Sequence, residues 1–240
     1  MGRTAGHRLA QGRSATVSEH ALPEAKRIRV DEGTVVSALL ARPKNPTHLF
    51  VLAHGAGAGM SHPFMEQIAR ALASRGIATL RYQFSYVEKK RRRPDPPALL
   101  TATVRAAVEA AGQEGLTLLA GGKSMGGRMT STAASERALP GVKGLVFLGF
   151  PLHQAGNPST KRGEHLSRVG LPMLFVQGNR DAMADLDLLE PLLQRLDQTT
   201  LHVVEGGDHG FHVPKKSGRT DADALDEAAD RVASWARGVV

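Results

Sequence analysis

The stretch GGKSMGGRM, residues 121–129, follows directly on the apolar run LTLLA at residues 116–120. Such a run predicts a buried strand, and the segment MGGRMTSTAASE at residues 125–136 predicts a helix. Ser124 stands at the junction, with a glycine two residues away on each side. A Gly-X-Ser-X-Gly turn between a strand and a helix exposes a serine hydroxyl at the end of the strand, which is typical of a nucleophile. The pattern alone also fits an ordinary glycine-rich turn, so other residues of the chain are needed to distinguish a nucleophile from a structural turn.

Short apolar runs alternate with helical patterns from residue 25 onward, which predicts an α/β fold with a mostly parallel central sheet and helices on both faces. The first two runs, 26–30 and 34–43, are separated by Asp-Glu-Gly and predict an antiparallel hairpin at the sheet edge. Further strands are predicted within 47–59, 77–84, 116–122, 144–151, 171–181 and 199–206, and helices within 62–76, 98–112, 125–136, 186–196 and 223–239.

The composition indicates one domain. The 240 residues suffice for one sizeable core, and we expect a disordered basic leader over 1–22 followed by a single domain over 23–240. Cysteine is absent, which excludes disulfides and thiolate metal sites and allows a reducing compartment. The leader lacks the apolar core of a secretory signal peptide, and no apolar segment of the sequence is long enough to span a membrane. We therefore expect a cytoplasmic protein without membrane association, although the arginine-rich start also resembles an organellar transit peptide.

The net charge of +8 raises the question of a nucleic-acid partner. Much of the excess lies in the leader and in the segment EKKRRRPDPP at residues 88–97. These runs lack interleaved aromatic residues for base stacking, so solvated charge is the simpler interpretation. We expect a small-molecule substrate and no nucleic-acid partner, and the sequence leaves the oligomeric state open.

Polar residues follow four of the predicted strands, and in an open parallel sheet ligands bind at these carboxyl ends. Three of them, Ser124, Asp181 and His209, stand in the chain order of a nucleophile, an acid and a base. In this interpretation His209 takes the proton of Ser124, while Asp181 orients the imidazole. Asp185 and Asp208 are alternative acids; Asp185 is better placed to cap the next helix, and Asp208 adjoins the base too closely.

Stabilising an oxyanion requires two backbone N–H donors, one directly after the nucleophile and one from the loop after an earlier strand. Met125 is the candidate for the first donor. The loop His54-Gly55-Ala56-Gly57 offers the second, with Ala56 favoured and Gly55 the alternative, because small residues let the backbone approach a substrate.

Other polar residues near these loops have weaker indications. His54, Lys123 and His153 are candidate substrate contacts. Five bases near these loops would favour an anionic acyl group: Lys123, Arg128, His153, Lys161 and Arg162. Solvated or capping bases explain the same pattern equally well. His202 and His212 show no convincing metal-ligand spacing, so we expect no metal and no cofactor.

The motifs AHGAGAGMSHPFM, GGKSMGGRM, GFPLHQAGNP, FVQGNRDAM and GGDHGF together resemble the α/β-hydrolase superfamily over residues 25–238. The resemblance is to its dienelactone-hydrolase-like branch, related to a scaffold subunit of the non-specific-lethal histone acetyltransferase complex and to a testis-expressed protein. It implies the α/β-hydrolase fold, the triad of Ser124, Asp181 and His209, and hydrolysis of an ester, thioester or similar acyl bond. Serine replaces the cysteine nucleophile of true dienelactone hydrolases.

The segment between the strands at 144–151 and 171–181 is too short for the helical cap domain of larger relatives, so the resemblance implies a shallow, open site. With few aromatic residues to line a tunnel, short-chain esters are the expected substrates. The competing hypothesis is an interaction scaffold built on the same fold, since a fold does not establish a function. A scaffold has no need of a reactive serine, acid and base. A third and weaker hypothesis makes the basic segments a nucleic-acid anchor.

Overall fold

The computed structural model describes residues 22–239. They form one eight-stranded sheet with the spatial order β1-β2-β4-β3-β5-β6-β7-β8. The predicted disordered leader lies, apart from Leu22, outside the described residues. The strands are β1 (Glu24–Arg29), β2 (Val35–Ala41), β3 (His48–Ala53), β4 (Ile77–Tyr82), β5 (Thr117–Lys123), β6 (Val142–Leu148), β7 (Met173–Gly178) and β8 (Thr199–Val204).

Six α-helices cover the sheet, and each of the five helices predicted from periodicity is present. They are α1 (Pro63–Ala73), α2 (Ser85–Glu88), α3 (Pro97–Gly112), α4 (Met125–Glu136), α5 (Leu186–Leu193) and α6 (Asp221–Ala236). The four-residue helix α2 was not predicted. The segment between β6 and β7 contains only a 3₁₀ helix, Lys161–Arg168, so the prediction that a large cap domain is absent is confirmed.

The N-terminal hairpin is confirmed as the antiparallel edge of the sheet. Within the described part of the chain, β1 pairs with β2 alone, and β2 continues antiparallel onto β4. From β4 through β8 every pairing is parallel. This arrangement is the mostly parallel sheet with antiparallel N-terminal strands of the α/β-hydrolase fold, and it brings the carboxyl ends of β3, β5, β7 and β8 to one edge.

Two apolar cores lie on the two faces of the sheet. Because side chains alternate across a strand, Leu118 and Ala120 of β5 belong to the core beneath α3 and α4, whereas Leu119 belongs to the core beneath α1 and α6. The central strands β3 and β4 are buried along their whole length, as expected for a parallel sheet covered on both sides. Within residues 22–239 no helix is long and apolar enough to cross a membrane.

Candidate active site

Ser124 lies on a sharp turn between β5 and α4. Its backbone has φ 50° and ψ −119°, a region that non-glycine residues rarely occupy and that stores strain. A Cβ atom on Gly122 would lie 2.2 Å from the carbonyl oxygen of Ala53, and one on Gly126 would lie 2.6 Å from that of His54. The flanking glycines are therefore required because the end of β3 passes directly beside the turn.

The hydroxyl of Ser124 lies within hydrogen-bonding distance of His209. The distance from His209 Nε2 to Ser124 Oγ is 2.8 Å, and from His209 Nδ1 to Asp181 Oδ2 it is 2.7 Å. Because a carboxylate only accepts hydrogen bonds, His209 donates through Nδ1–H and keeps the Nε2 lone pair for the serine proton. The structure thus brings together the three residues that the sequence order predicted.

Asp181 is held in a single orientation. Its side chain is fully buried, and it accepts hydrogen bonds from the side-chain amide of Gln177 and from the backbone N–H of Met183 at 2.8 Å. Gln177 is in turn fixed, since its Oε1 accepts the N–H of Phe150 at 2.8 Å. Sequence reasoning missed Gln177, although a glutamine inside the apolar strand MLFVQG was a usable signal, because buried polar groups need partners.

The two alternative acids have other partners. Asp208 Oδ1 accepts the N–H groups of Gly210 and His212 at 2.7 and 2.9 Å, which closes the loop after β8. Asp185 occupies the N-cap position of α5, as predicted, but its side chain makes no capping hydrogen bond there. Asp181 is the carboxylate that contacts His209.

A second serine–histidine pair is formed by Ser131 of α4 and His165. Ser131 Oγ is 2.7 Å from His165 Nε2 and donates its own proton to the carbonyl of Arg128. Ser131 is fully buried, and burial, with Arg128 and Arg168 nearby, lowers the pKa of His165 to about 4. Among residues 22–239 His165 makes no ion pair with a carboxylate, and neither member of the pair lines the cavity that opens at Ser124, so the geometry is that of a structural contact.

A cavity of about 900 Å³ opens at Ser124. Its walls are supplied by the loop after β3, by α1, by the loop after β8 and by the first two turns of α6. The residues that line the cavity include Gly55, Ala56, Pro63, Phe64, Gln67, Arg70, Ala71, Lys123, Ser124, His209, His212, Asp221, Ala222, Leu225 and Asp226. The volume lies at the upper end of small-molecule sites, which span roughly 300–1,000 Å³. The site is therefore larger than the absence of a cap domain suggested.

The candidate oxyanion donors lie around the serine. Met125 is the first residue of α4, so its N–H has no acceptor within the helix. Ala56 is exposed and lines the cavity together with Gly55. A Cβ atom on Gly55 would lie 3.5 Å from Ser124 Cβ, which puts this loop in contact with the nucleophile turn. The assignment of Met125 and of Ala56, with Gly55 as the alternative, stays a prediction.

Two of the three candidate substrate contacts are corrected. His54 is fully buried, donates through Nδ1 to the carbonyl of Gly55 and accepts the N–H of Phe84 at 3.1 Å; burial lowers its pKa to about 4. His153 is 2% exposed, with Nδ1 bonded to the carbonyl of Gln154 and Nε2 accepting the N–H of Asp185. Both rings use both nitrogens to fix loop backbone, so neither contacts a substrate in the cavity.

Fewer of the predicted basic side chains line the cavity than expected. Lys161 and Arg162, like His153, do not line the cavity, and Arg162 instead donates to the carbonyl of His153 at 2.9 Å. The 3₁₀ segment that carries these bases packs against α4. Of the cations that favoured an anionic acyl group, Lys123 is the one at the cavity wall.

Lys123 bridges the serine turn and the histidine loop. Its Nζ donates to the backbone carbonyl of His209 at 2.5 Å and lies 5.6 and 5.9 Å from the ring centres of Phe64 and Phe211. Burial lowers the pKa of Lys123 to about 8, against the raising effect of Asp181 and Asp208. This hydrogen bond therefore connects the side chain of Lys123, the residue before the candidate nucleophile, to the backbone of His209, the candidate base.

Replacing Lys123 with methionine is expected to change how stability depends on pH. Because the folded pKa of about 8 lies below the ordinary value of 10.5, the unfolded chain binds more protons between these values, and the contribution of Lys123 to the free energy of unfolding rises with pH. Wild type should therefore gain stability relative to the Lys123→Met variant over this window. Urea denaturation at several pH values measures the difference. The control replaces Lys143, which is exposed on β6, and an equal change there would contradict burial as the cause.

No metal site is apparent in the part of the chain that the structure describes, where no group of three histidine, aspartate or glutamate side chains is arranged to hold an ion. His212 pairs with Asp221 at 2.7 Å, and His202 pairs with Glu227 at 2.7 Å. These two histidines are thus engaged in ion-pair geometry with α6.

The chain belongs to the α/β-hydrolase family: a family model described as an alpha/beta hydrolase domain matches residues 46–237. Several solved structures share the fold. A dienelactone hydrolase from Anabaena variabilis is 22% identical, with 92% of this chain and 100% of that chain covered and a TM-score of 0.72. An α/β serine hydrolase homologue from Coxiella burnetii is 20% identical, with 89% and 99% covered and a TM-score of 0.70.

A third similar structure is a serine hydrolase without a lid from Xanthomonas campestris. It is 23% identical, 88% of this chain and 94% of that chain are covered, and the TM-score is 0.67. At these identities the likeness concerns the fold. The dienelactone-hydrolase-like group predicted from the motifs is thus supported at the level of structural neighbours, and the narrower relation to the non-specific-lethal complex subunit stays a prediction from the motifs.

Proposed function

We propose that the protein is a serine-dependent hydrolase that cleaves an ester, thioester or similar acyl bond of a small molecule through an acyl-enzyme. The observation that carries the proposal is the continuous hydrogen-bonded chain from Ser124 through His209 to the buried Asp181, with Ser124 and His209 lining the cavity. A nucleophile, a base within hydrogen-bond reach and a third group that orients the base form the arrangement that activates a serine.

In the proposed reaction, Ser124 Oγ attacks the carbonyl carbon of the substrate while its proton passes to His209 Nε2. The imidazolium that forms is stabilised by the carboxylate of Asp181. His209 then gives the proton to the departing alcohol or thiol, which leaves Ser124 acylated. A water molecule, deprotonated by the same nitrogen, attacks the acyl-enzyme and releases the acid and the free serine.

The negative charge on the tetrahedral intermediate requires donors that are already in place. We assign this role to the N–H groups of Met125 and Ala56, with Gly55 as the alternative to Ala56. Met125 opens α4, so the positive end of the helix dipole also faces the developing oxyanion. The strained backbone of Ser124 fits this function, since strain at such turns is found where a reactive group must be held in place.

The preference for an anionic acyl group now rests on Lys123 alone. Its ammonium group already donates to the carbonyl of His209, and Lys123 lines the cavity directly beside the serine. A substrate with a carboxylate close to the scissile bond could use the remaining N–H donors of Lys123. The competing hypothesis, an interaction scaffold of the kind implied by the resemblance to the non-specific-lethal complex subunit, predicts no reaction at Ser124.

Covalent labelling with a fluorophosphonate distinguishes the two hypotheses. We expect the wild-type protein to form one stable adduct at neutral pH, and mass spectrometry of the digested protein should place it on Ser124. The Ser131→Ala variant is the matched control, because it removes the hydroxyl of the other serine–histidine pair and should label at the wild-type rate. A folded protein that resists the probe, with no hydrolysis across an ester and thioester panel, would favour the scaffold.

A further inference from the structure

The cavity extends away from the serine as a groove between two helices. On the α1 side its wall includes Pro63, Phe64 and Ala71, and on the α6 side it includes Ala222 and Leu225. Along α1, Phe64, Gln67 and Ala71 follow one another at intervals of three and four residues, so they share one helix face. Small and apolar side chains thus contribute to both walls, together with the exposed polar Gln67, and the cavity they line includes the catalytic serine proposed above.

The groove has a defined far end. Arg75, just after α1, forms ion pairs with Asp226 at 3.3 Å and with Asp230 at 2.6 Å. These pairs draw α1 and α6 together where the lining of the cavity stops. From Pro63 to Ala71 the wall covers eight residues of rise, or about 12 Å at the α-helical spacing. A substrate whose reacting group lies at Ser124 therefore has only this limited length of groove available for the rest of the molecule.

Between α1 and α6, away from Lys123 beside the serine, the charged side chains that line the groove pair with groups of opposite charge. Arg70 pairs with Glu66 at 3.1 Å, Asp226 pairs with Arg75, and Asp221 pairs with His212 at 2.7 Å. A charged substrate arm in the groove would have to compete with these pairs, whereas an uncharged apolar arm would cover apolar surface and leave them intact. The groove therefore favours an uncharged occupant, in contrast to the anionic group inferred from the sequence.

The structure assigns to this groove, on the basis of the hydrolase function proposed above, an unbranched apolar arm of the ester or thioester substrate, of medium length. The arm is continuous with the scissile bond because the groove and Ser124 share one cavity. The expectation of short-chain esters rested on the missing cap and the few aromatic residues, whereas the groove favours a substrate arm of medium length. The same chemistry could belong to the acyl group or to the alcohol, and two substrate series separate them.

The test compares kcat/KM over two series in the wild-type protein. One series holds p-nitrophenol constant and lengthens the acyl chain from acetate through butyrate and octanoate to laurate. The other holds acetate constant and lengthens a straight-chain alcohol over the same range. We expect one of the series to reach its maximum at the middle of the range, since each methylene group that enters the groove adds apolar contact.

Two variants then fill the groove. Ala71→Phe and Ala222→Trp place large side chains on opposite walls and should lower kcat/KM for the best medium-length substrate by roughly tenfold or more, while acetate turnover stays close to wild type. Ala73→Phe is the matched control, since Ala73 belongs to the same helix but does not line the cavity. It should leave the length profile unchanged, and circular dichroism should show all three variants folded.

The outcomes separate this inference from the proposed function. A length optimum that the groove variants remove while the control keeps it supports the groove assignment, and the responding series identifies the acyl or alcohol side. Turnover that falls steadily from acetate in both series, with groove variants indistinguishable from the control, overturns the assignment but leaves the hydrolase intact. Absence of any turnover and of labelling at Ser124 overturns the proposed function itself.

Discussion

Ser124→Ala is expected to lower kcat for ester hydrolysis by a factor on the order of 10⁵–10⁶ and to abolish fluorophosphonate labelling. The variant keeps the turn and the candidate oxyanion donors, but it removes the oxygen that would carry the acyl group. Alanine loses only the hydroxyl, and the hydrogen bond to His209 is the one side-chain contact of Ser124 among the described hydrogen bonds. Thermal stability should therefore stay unchanged or rise, as is common when a functional group is removed from a strained site.

Steady-state rates with the best ester of the panel measure the decrease in kcat, and thermal denaturation shows whether the variant is folded. His209→Ala should reduce labelling almost as far as Ser124→Ala, since the serine hydroxyl is a weak nucleophile without its base. Ser131→Ala should retain both labelling and turnover, because its hydroxyl is buried inside α4 away from the cavity. Residual hydrolysis in a Ser124→Ala protein that matches wild type would show that another group performs the reaction.

The sheet and its helices were predictable because each element leaves a local signal. Buried parallel strands appear as continuous apolar runs, as in HLFVLA at β3 and MLFVQG at β7, and the helices show 3.6-residue periodicity. The antiparallel hairpin was indicated by Asp-Glu-Gly between two runs. Helix α2 was missed because its four residues, Ser85–Glu88, are too few to show a period.

The three residues of the candidate triad were predictable because the topology itself brings them together. Ser124, Asp181 and His209 follow β5, β7 and β8, and the carboxyl ends of parallel strands lie at one edge of the sheet. Their order along the chain thus predicted the contacts of 2.7 and 2.8 Å that the structure contains. The catalytic role of each remains for the kinetic variants to test.

The walls of the site could not be predicted, because they depend on how distant elements pack. Whether His54 faces the cavity or the core is set by the position of Phe84, thirty residues away. The groove lies where α1 and α6, which are far apart in sequence, pack against each other in the folded chain, with Arg75 pairing to two carboxylates of α6 at its end. No local pattern in either helix indicates the spacing between them.

Asp181→Asn is expected to lower kcat by a factor on the order of 10³–10⁴ through the tautomer of His209. Asp181 Oδ1 accepts the N–H of Met183, so the oxygen of an asparagine should take that position. Its NH₂ group would then face His209 Nδ1, which would have to accept a hydrogen bond. The proton of the neutral imidazole would move to Nε2, where it faces Ser124 Oγ and prevents His209 from acting as a base.

The same substitution should also destabilise the fold by a small amount, since the new NH₂ group would oppose the amide of Gln177, which now donates to Asp181. Gln177 cannot simply turn over, because its Oε1 accepts the N–H of Phe150. Steady-state kinetics, read together with the free energy of unfolding, separates the catalytic loss from the structural one. Asp185→Asn is the matched control, and its side chain lies half exposed beside His153, so its kcat should remain within about twofold of wild type, as for most surface substitutions. A large loss in Asp185→Asn with an active Asp181→Asn protein would reassign the acid to Asp185.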